Sequence, residues 1–243
     1  MKKSKISKKE IKNISNNSSK IIKDYKIFFD EIIKILEIEL KKYEIPSVSN
    51  IKEKYKSSFH ILISTILSAR TKDETTLKVC EKLFSKISSF NDLLKYENNI
   101  EHLEKLLFPI GFYRTKARNL IKLSKIIQKN FNGKIPDNID DLLKLPGVGR
   151  KTANLVLALA FNKDGLCVDT HVHRISNRLG IIKTKNPYQT EMELRKILNK
   201  EYYEIYNSLL VTFGKNICTP LSPKCSICKI NNYCKKVGVK KSR

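Results

Sequence analysis

No stretch of this chain is apolar for long enough to cross a bilayer, and no short apolar run follows the N-terminus as a secretory signal would. Membrane and secreted classes are therefore set aside, and an intracellular protein is expected. Convincing alternation of apolar and polar residues is missing too, whereas helical spacing recurs along most of the chain. The expected fold class is all-α. Acidic residues are scarce: 24 Asp and Glu stand against 48 Lys and Arg, a formal net charge of +24. Such an excess calls for a polyanionic partner. Arginine is scarce as well, confined to positions 70, 114, 118, 150, 174, 178, 195 and 243. Most of the charge is thus lysine, which solvated faces carry readily, so charge alone does not locate a site.

At 243 residues the chain can bury a sizeable core, in one domain or two. Residues 1–23 are rich in Lys, Ser and Asn and read as a disordered basic tail that adds non-specific attraction to DNA. Helical spacing then sets in at Tyr25, Phe28, Phe29, Ile32, Leu36 and Leu40 and stops before Pro46. Phe59 to Ala69 is apolar nearly all round, as a central buried helix would be. Asp73 is expected to cap the next helix, and Asn91 a short one after it. Further helices are expected at about 100–107, 116–130, 139–145 and 151–161, then after Asp169, after Asn186-Pro187, and over about 201–215.

Between Leu145 and Asn154 runs LPGVGRKTAN, a proline and two glycines joining a short helix to a longer apolar one. So few residues allow only a tight hairpin. Gly147 and Gly149 can adopt positive φ and lack a Cβ, so the backbone of Leu145, Gly147, Val148, Gly149 and Arg150 can approach a DNA phosphate closely. The amides at the start of the second helix add an anion site. Lys151 sits in that first turn, where the helix dipole and neighbouring Arg150 both disfavour a cation. A lysine so placed can serve as an amine nucleophile; the bland alternative is a solvated phosphate-binding lysine. Asp169, in VDTHVHR, is expected to be a helix N-cap held ionised by backbone amides. As a cap alone it would be worth about 1 kcal/mol. His171 and His173 are expected to be structural.

Cys218, Cys225, Cys228 and Cys234 fall within seventeen residues. Four closely spaced thiols in an intracellular chain read as a metal or cluster site rather than a disulfide framework. From ligand type alone, zinc and an iron–sulfur cluster both fit. Cys80 and Cys167 lie outside the pattern and read as small buried hydrophobes.

LPGVGRKTAN followed by VDTH resembles the helix-hairpin-helix DNA glycosylases, and most closely the endonuclease III family. The resemblance runs from about Ile27 to Cys234. It implies a six-helix domain over about 51–163 and a second helical domain built from 24–50 and 164–243, with the DNA cleft between them. The cysteine spacing matches that family's cluster loop over 218–234 and implies a [4Fe–4S] cluster, with Lys224 beside it as a phosphate contact. Lys151 would be the Schiff-base lysine and Asp169 the essential aspartate; relatives that only remove a base carry another residue in place of the lysine. The implied activity is a bifunctional DNA glycosylase and abasic-site lyase, a monomer acting on double-stranded DNA with damaged bases or abasic sites, best suited to oxidised pyrimidines.

The same resemblance places the residues that fill the gap left by a flipped nucleotide at Arg70, in LSART, and Phe112, in GFY. Glutamine and leucine are common there, and this chain departs from both. The plainer roles are an arginine that caps its helix and a phenylalanine packed under its turn. Two alternatives stand beside the main reading. One is a mismatch glycosylase acting on thymine or uracil opposite guanine. The other is a non-catalytic DNA-binding module with a zinc site, which has no need of a Lys151–Asp169 pair.

Overall fold

The computed structural model describes residues 8–44 and 46–243 of the chain. Its elements are helices, and among the described residues no strand occurs. Helix α1 (Lys8–Leu40) buries Phe29, Ile32, Ile33, Leu36 and Leu40 on one stripe. The tail expected to be disordered over 1–23 is therefore helical from Lys8 onward, and residues 1–7 lie outside the described part. Once the apolar stripe has nucleated the helix, each added residue needs only one further backbone bond, so the polar segment can continue it.

Helix α2 (Ser47–Tyr55) was not expected from its short, charged sequence. Central α3 (Ser58–Ser68) has Phe59 and every residue from Ile61 to Leu67 buried. In α4 (Asp73–Phe84) the expected cap is corrected: Lys72 holds the N-cap position, and Asp73 turns its carboxylate elsewhere. Its Oδ1 accepts from the Ser47 amide at 3.3 Å and the Ser47 hydroxyl at 2.8 Å, and its Oδ2 pairs with Lys215. Helix α5 (Phe90–Leu94) is capped by Ser89, which accepts from the Asp92 amide, rather than by Asn91.

Then follow α6 (Ile100–Leu107), α7 (Tyr113–Phe131), α8 (Ile139–Leu142) and α9 (Arg150–Phe161). Past these come α10 (Thr170–Leu179), α11 (Pro187–Ile197) and α12 (Tyr203–Asn216). Asn186 caps α11 through its side chain, with Pro187 at the first position as expected. The cysteine loop that follows has only two short 3-10 turns, Cys225–Ile227 and Asn231–Tyr233.

Two large hydrophobic cores result among the described residues, with a small third cluster of Val48, Ile61 and Leu159. One gathers Leu62, Leu67, Leu83, Leu103, Leu120 and Val156 from α3, α4, α6, α7 and α9. The other gathers Phe29, Leu36, Val172, Leu194, Tyr206 and Phe213 from α1, α10, α11 and α12. Each fully buried aliphatic side chain contributes about 1.5–3 kcal/mol, so either set can hold its helices in place. Between them the chain passes Gly165, where a Cβ would lie 2.0 Å from the carbonyl oxygen of Asn154. Only glycine lets the chain leave α9 so closely. None of the described helices is long and apolar enough to cross a membrane.

Candidate active site

A cleft of about 710 Å³ opens between the two cores. Lys151 enters it from the first turn of α9, in the first core, and Asp169 from the N-terminus of α10, in the second. Lys151 Nζ and Asp169 Oδ2 are 3.9 Å apart, with the lysine side chain 52% exposed and the aspartate 10%. Asp169 does cap its helix: Oδ1 accepts from the amides of His171 and Val172, each at 2.9 Å. One carboxylate oxygen is thus fixed by backbone and the other faces the amine. The cap sets the direction of the charge as well as the start of the helix.

The hairpin between α8 and α9 forms as expected, with one correction. Gly147 has φ of +83°, but Gly149 is extended at φ −94° and serves as the N-cap of α9. No side chain caps that helix, and a Cβ at Gly149 would meet nothing within 4 Å. Its first-turn amides therefore stand at an open surface, as an anion site requires. The side chains of Leu145 and Val148 are buried, so any DNA contact they make runs through their backbone.

Arg150 departs further from expectation. Its Nε donates to Glu191 Oε2 at 2.7 Å and its Nη2 to Glu191 Oε1 at 3.0 Å, and its guanidinium lies 4.9 Å from the Tyr188 ring centroid. Two of its five donors are thus taken up by a buried carboxylate. Arg195 closes the network, donating to Glu191 Oε1 at 3.0 Å and to Asn154 Oδ1 at 2.9 Å. The sequence reading passed over Glu191 and Arg195. The signal was present: Glu191 shares a helical stripe with Leu194 and Leu198, where a carboxylate needs a partner.

Arg70 lines the cleft and Phe112 stands beside it, the guanidinium 5.4 Å from the ring centroid. Both have left-handed backbones, with φ of 55° and 58°. Phe112 is 61% exposed, so it is not packed under its turn. Nor does Arg70 cap α3. That helix end is held by Lys116 of α7, whose Nζ donates to the carbonyls of Leu67 at 2.8 Å and Ala69 at 2.6 Å. His173 Nδ1 bonds Thr190 Oγ1 at 2.7 Å, while His171 lines the cleft, where burial pushes it below its ordinary range.

Cys218, Cys225, Cys228 and Cys234 line one small cavity with Ile175, Arg178 and Lys224. Among the described residues no three Cys, His, Asp or Glu side chains converge as ligands of a single metal ion. A tetrahedral zinc site, with bonds of about 2.3 Å, needs such convergence. Four thiols surrounding a common cavity instead fit a cluster whose irons are each held by one cysteine. The loop also presents donors to sulfur: Arg178 Nη1 to Cys218 at 3.4 Å and the Lys236 amide to Cys234 at 3.3 Å. Cys80 and Cys167 are buried, and burial pushes each thiol up to about 12, as inert hydrophobes would be.

Comparison with known proteins follows this geometry closely. Residues 63–200 match the family described as HhH-GPD superfamily base excision DNA repair protein, and residues 218–234 match the iron-sulfur binding domain of endonuclease III. Endonuclease III of Thermotoga maritima is 47% identical over 176 residues, 72% of this chain and 82% of that protein. A solved trapped endonuclease III–DNA covalent intermediate, an estranged-adenine complex, superposes with a TM-score of 0.69 at 35% identity, over 78% of this chain and 92% of that one. A thermostable thymine-DNA glycosylase gives a TM-score of 0.74 at 26% identity, over 88% of this chain and 96% of that one.

Proposed function

Since the chain belongs to the endonuclease III family of the HhH-GPD superfamily, we propose that Lys151 and Asp169 are its catalytic pair. The protein is a base-excision-repair DNA glycosylase with abasic-site lyase activity, and it carries a [4Fe–4S] cluster. The observation that carries the residue assignment is the meeting of Lys151 Nζ and Asp169 Oδ2, 3.9 Å apart at the cleft, beside a hairpin whose helix start is uncapped.

In this reading the damaged nucleotide is drawn out of the stack into the cleft. The neutral amine of Lys151 attacks C1′, the glycosidic bond breaks, and the base leaves with the bonding pair and takes up a proton. The amine loses its proton and the sugar opens to an imine. Loss of a proton from C2′ then expels the 3′ phosphate. Asp169 Oδ2 stabilises positive charge at C1′ and receives or relays the lysine proton. Arg70 and Phe112 fill the vacated space. The backbone of residues 145–150 and Lys224 hold the phosphates, while the Arg150 side chain, bound to Glu191, also positions Tyr188 and α11. Cys218, Cys225, Cys228 and Cys234 hold the cluster, which cross-links the loop and needs no redox change for the excision.

Oxidised pyrimidines in duplex DNA, and abasic sites, are the proposed substrates of a monomer working with the DNA inside the cell. A helical domain over 51–163 and a second unit of 24–50 with 164–243 are the proposed domains; the first holds α3 to α9 and most of α2, more than the six helices expected, and each has a core of its own. The mismatch reading draws on the likeness to a thymine-DNA glycosylase, but Lys151 favours the lyase chemistry.

Borohydride reduction of the imine tests the assignment. Incubated with duplexes carrying a panel of defined lesions, the wild-type protein is expected to be fixed covalently to oxidised-pyrimidine and abasic strands. Lys151→Gln is expected to bind the same duplexes without trapping or nicking. Undiminished trapping by that variant would place the nucleophile elsewhere.

A further inference from the structure

Lys116, which lies against the turns of Arg70 and Phe112, is left unused by this mechanism. It sits near the start of α7 and is only 7% exposed, yet no carboxylate accompanies it among the described residues. Its Nζ reaches the Leu67 carbonyl at 2.8 Å, the Ala69 carbonyl at 2.6 Å and Thr71 Oγ1 at 3.5 Å. Burial pushes its amine down to about 8, while the carbonyl dipoles at the end of α3 favour the charged form. A buried cation without a counter-ion is costly, and an apolar residue would fill the same stripe of α7 more cheaply. Fold stability alone does not explain a lysine here.

What it holds together is specific. Leu67, Ala69 and Thr71 flank Arg70, and Thr71 Oγ1 also accepts from the Gly111 amide at 3.1 Å, next to Phe112. Gly111 is pressed so closely on the other turn that a Cβ would lie 2.5 Å from the Arg70 carbonyl oxygen. Each turn presents its exposed residue from a left-handed backbone that is unfavourable for a non-glycine residue. Neither conformation holds without its surroundings, and beside the Gly111–Arg70 backbone contact and the Arg70–Phe112 stacking, the hydrogen-bonded link between the two turns is the Lys116–Thr71–Gly111 tie.

We propose that Lys116 is the positioning residue of the gap-filling pair, fixing the Arg70 turn against the Phe112 turn so that the two side chains enter the duplex as one rigid unit. This rests on the reading of Arg70 and Phe112 given above. Rigidity matters because the return on unstacking a nucleotide comes only if the intruding groups are already in place; ordering them on arrival would consume part of it.

The test uses the cluster-loaded full chain and three variants: Lys116→Met, which keeps length without the donor, Phe112→Ala, and the two together. Single-turnover excision is measured for a lesion in a stable pair and for the same lesion in a mismatch, alongside cleavage of a preformed abasic site. A 2-aminopurine next to the lesion reports unstacking by its fluorescence. Lys116→Met is expected to slow excision from the stable pair by about ten- to a hundredfold and to shrink the fluorescence rise, while abasic-site cleavage stays within about threefold. The double variant is expected to be no slower on the stable pair than Phe112→Ala, since the lysine acts through the wedge. Thr71→Val, which cuts the link but leaves the cation its carbonyls, is expected to shift the same ratio by less, and keeps the idea testable if Lys116→Met does not fold.

Equal losses on all three substrates, or losses that add in the double variant, would reduce Lys116 to a helix cap and overturn the proposal. If Phe112→Ala discriminates among substrates and neither Lys116→Met nor Thr71→Val does, the proposal alone falls. If Phe112→Ala does not discriminate, the wedge reading fails and takes the proposal with it.

Discussion

Replacing Asp169 by Asn separates the two tasks of that carboxylate, because the structure divides them between its two oxygens. Oδ1 caps α10 through two amides at 2.9 Å, and asparagine caps about as well as aspartate. Oδ2 supplies the charge, 3.9 Å from the lysine that marks where C1′ must come. A unit charge at that distance is worth about 4 kcal/mol at an effective dielectric near 20 and about 1 kcal/mol in water. In rate these limits are roughly a thousandfold and roughly fivefold. A bound duplex dries the cleft, which favours the upper end. Asp169→Asn is therefore expected to bind lesion DNA normally, melt within a degree or two of wild type, and excise the base a hundred- to a thousandfold more slowly in single turnover. Asp169→Ala is the control: it loses the cap as well, about 1 kcal/mol, and its melting point is expected to fall by about 2–4 °C. A wild-type excision rate in Asp169→Asn would refute the argument and leave the residue a cap. A slow variant whose melting point has also dropped as far as that of Asp169→Ala would refute the division of labour.

Protein purified without added metal is expected to carry about four irons per chain, measured by plasma emission, and Cys228→Ser to lose them and to weaken DNA binding more than it disturbs the first core. Removing residues 1–23, which hold eight lysines against Glu10, is expected to flatten the plot of log K against log salt by nearly one unit per lost phosphate contact, with low-salt excision unchanged. An unaltered slope would mean that the tail does not touch DNA. For Asp73, burial opposes the charge but the Lys215 and Ser47 contacts outweigh it and hold the carboxyl below its ordinary value. Such a group stabilises the fold fully above its unfolded value, near pH 4, and the contribution is lost as pH falls through the lower folded value. Thermal melts between about pH 5 and 2 are expected to show a shallower acid limb in Asp73→Asn than in wild type.

The features legible in the sequence were those whose cause is local. Asn186-Pro187 begins α11 because a cap and a proline suit those two positions wherever they occur. Asp169 caps α10 for the same reason, and Gly147 takes positive φ because the hairpin leaves it no other choice. Features set by distant partners were missed. Asp73 has the composition of a cap, but Ser47 and Lys215 claim its carboxylate from elsewhere in the chain. Arg150 reads as a phosphate ligand, and nothing local shows that Glu191, forty-one residues on, takes two of its five donors. Lys116 and Glu191 did leave a trace, each being a charge on an apolar stripe, but a stripe does not say which backbone or side chain will answer it.

These distant pairs share a location. Lys52 with Glu204, Asp73 with Lys215, Arg150 with Glu191, and Arg195 with Asn154 each join an element of the first core to one of the second. The candidate catalytic pair is divided in the same way, its lysine from one core and its aspartate from the other. Packing within either core cannot fix the 3.9 Å between them; the ties across the cleft must. The cysteine loop extends this logic to the far end of α10. Arg178 donates to the Thr219 carbonyl at 2.6 Å and Arg174 to the Cys218 carbonyl at 3.0 Å, on the helix whose first turn is set by Asp169. Loosening the loop would free the helix that aims the carboxylate. A cluster seated in this loop is therefore expected to bear on the excision rate by holding still the element on which Asp169 is mounted, whatever else it does.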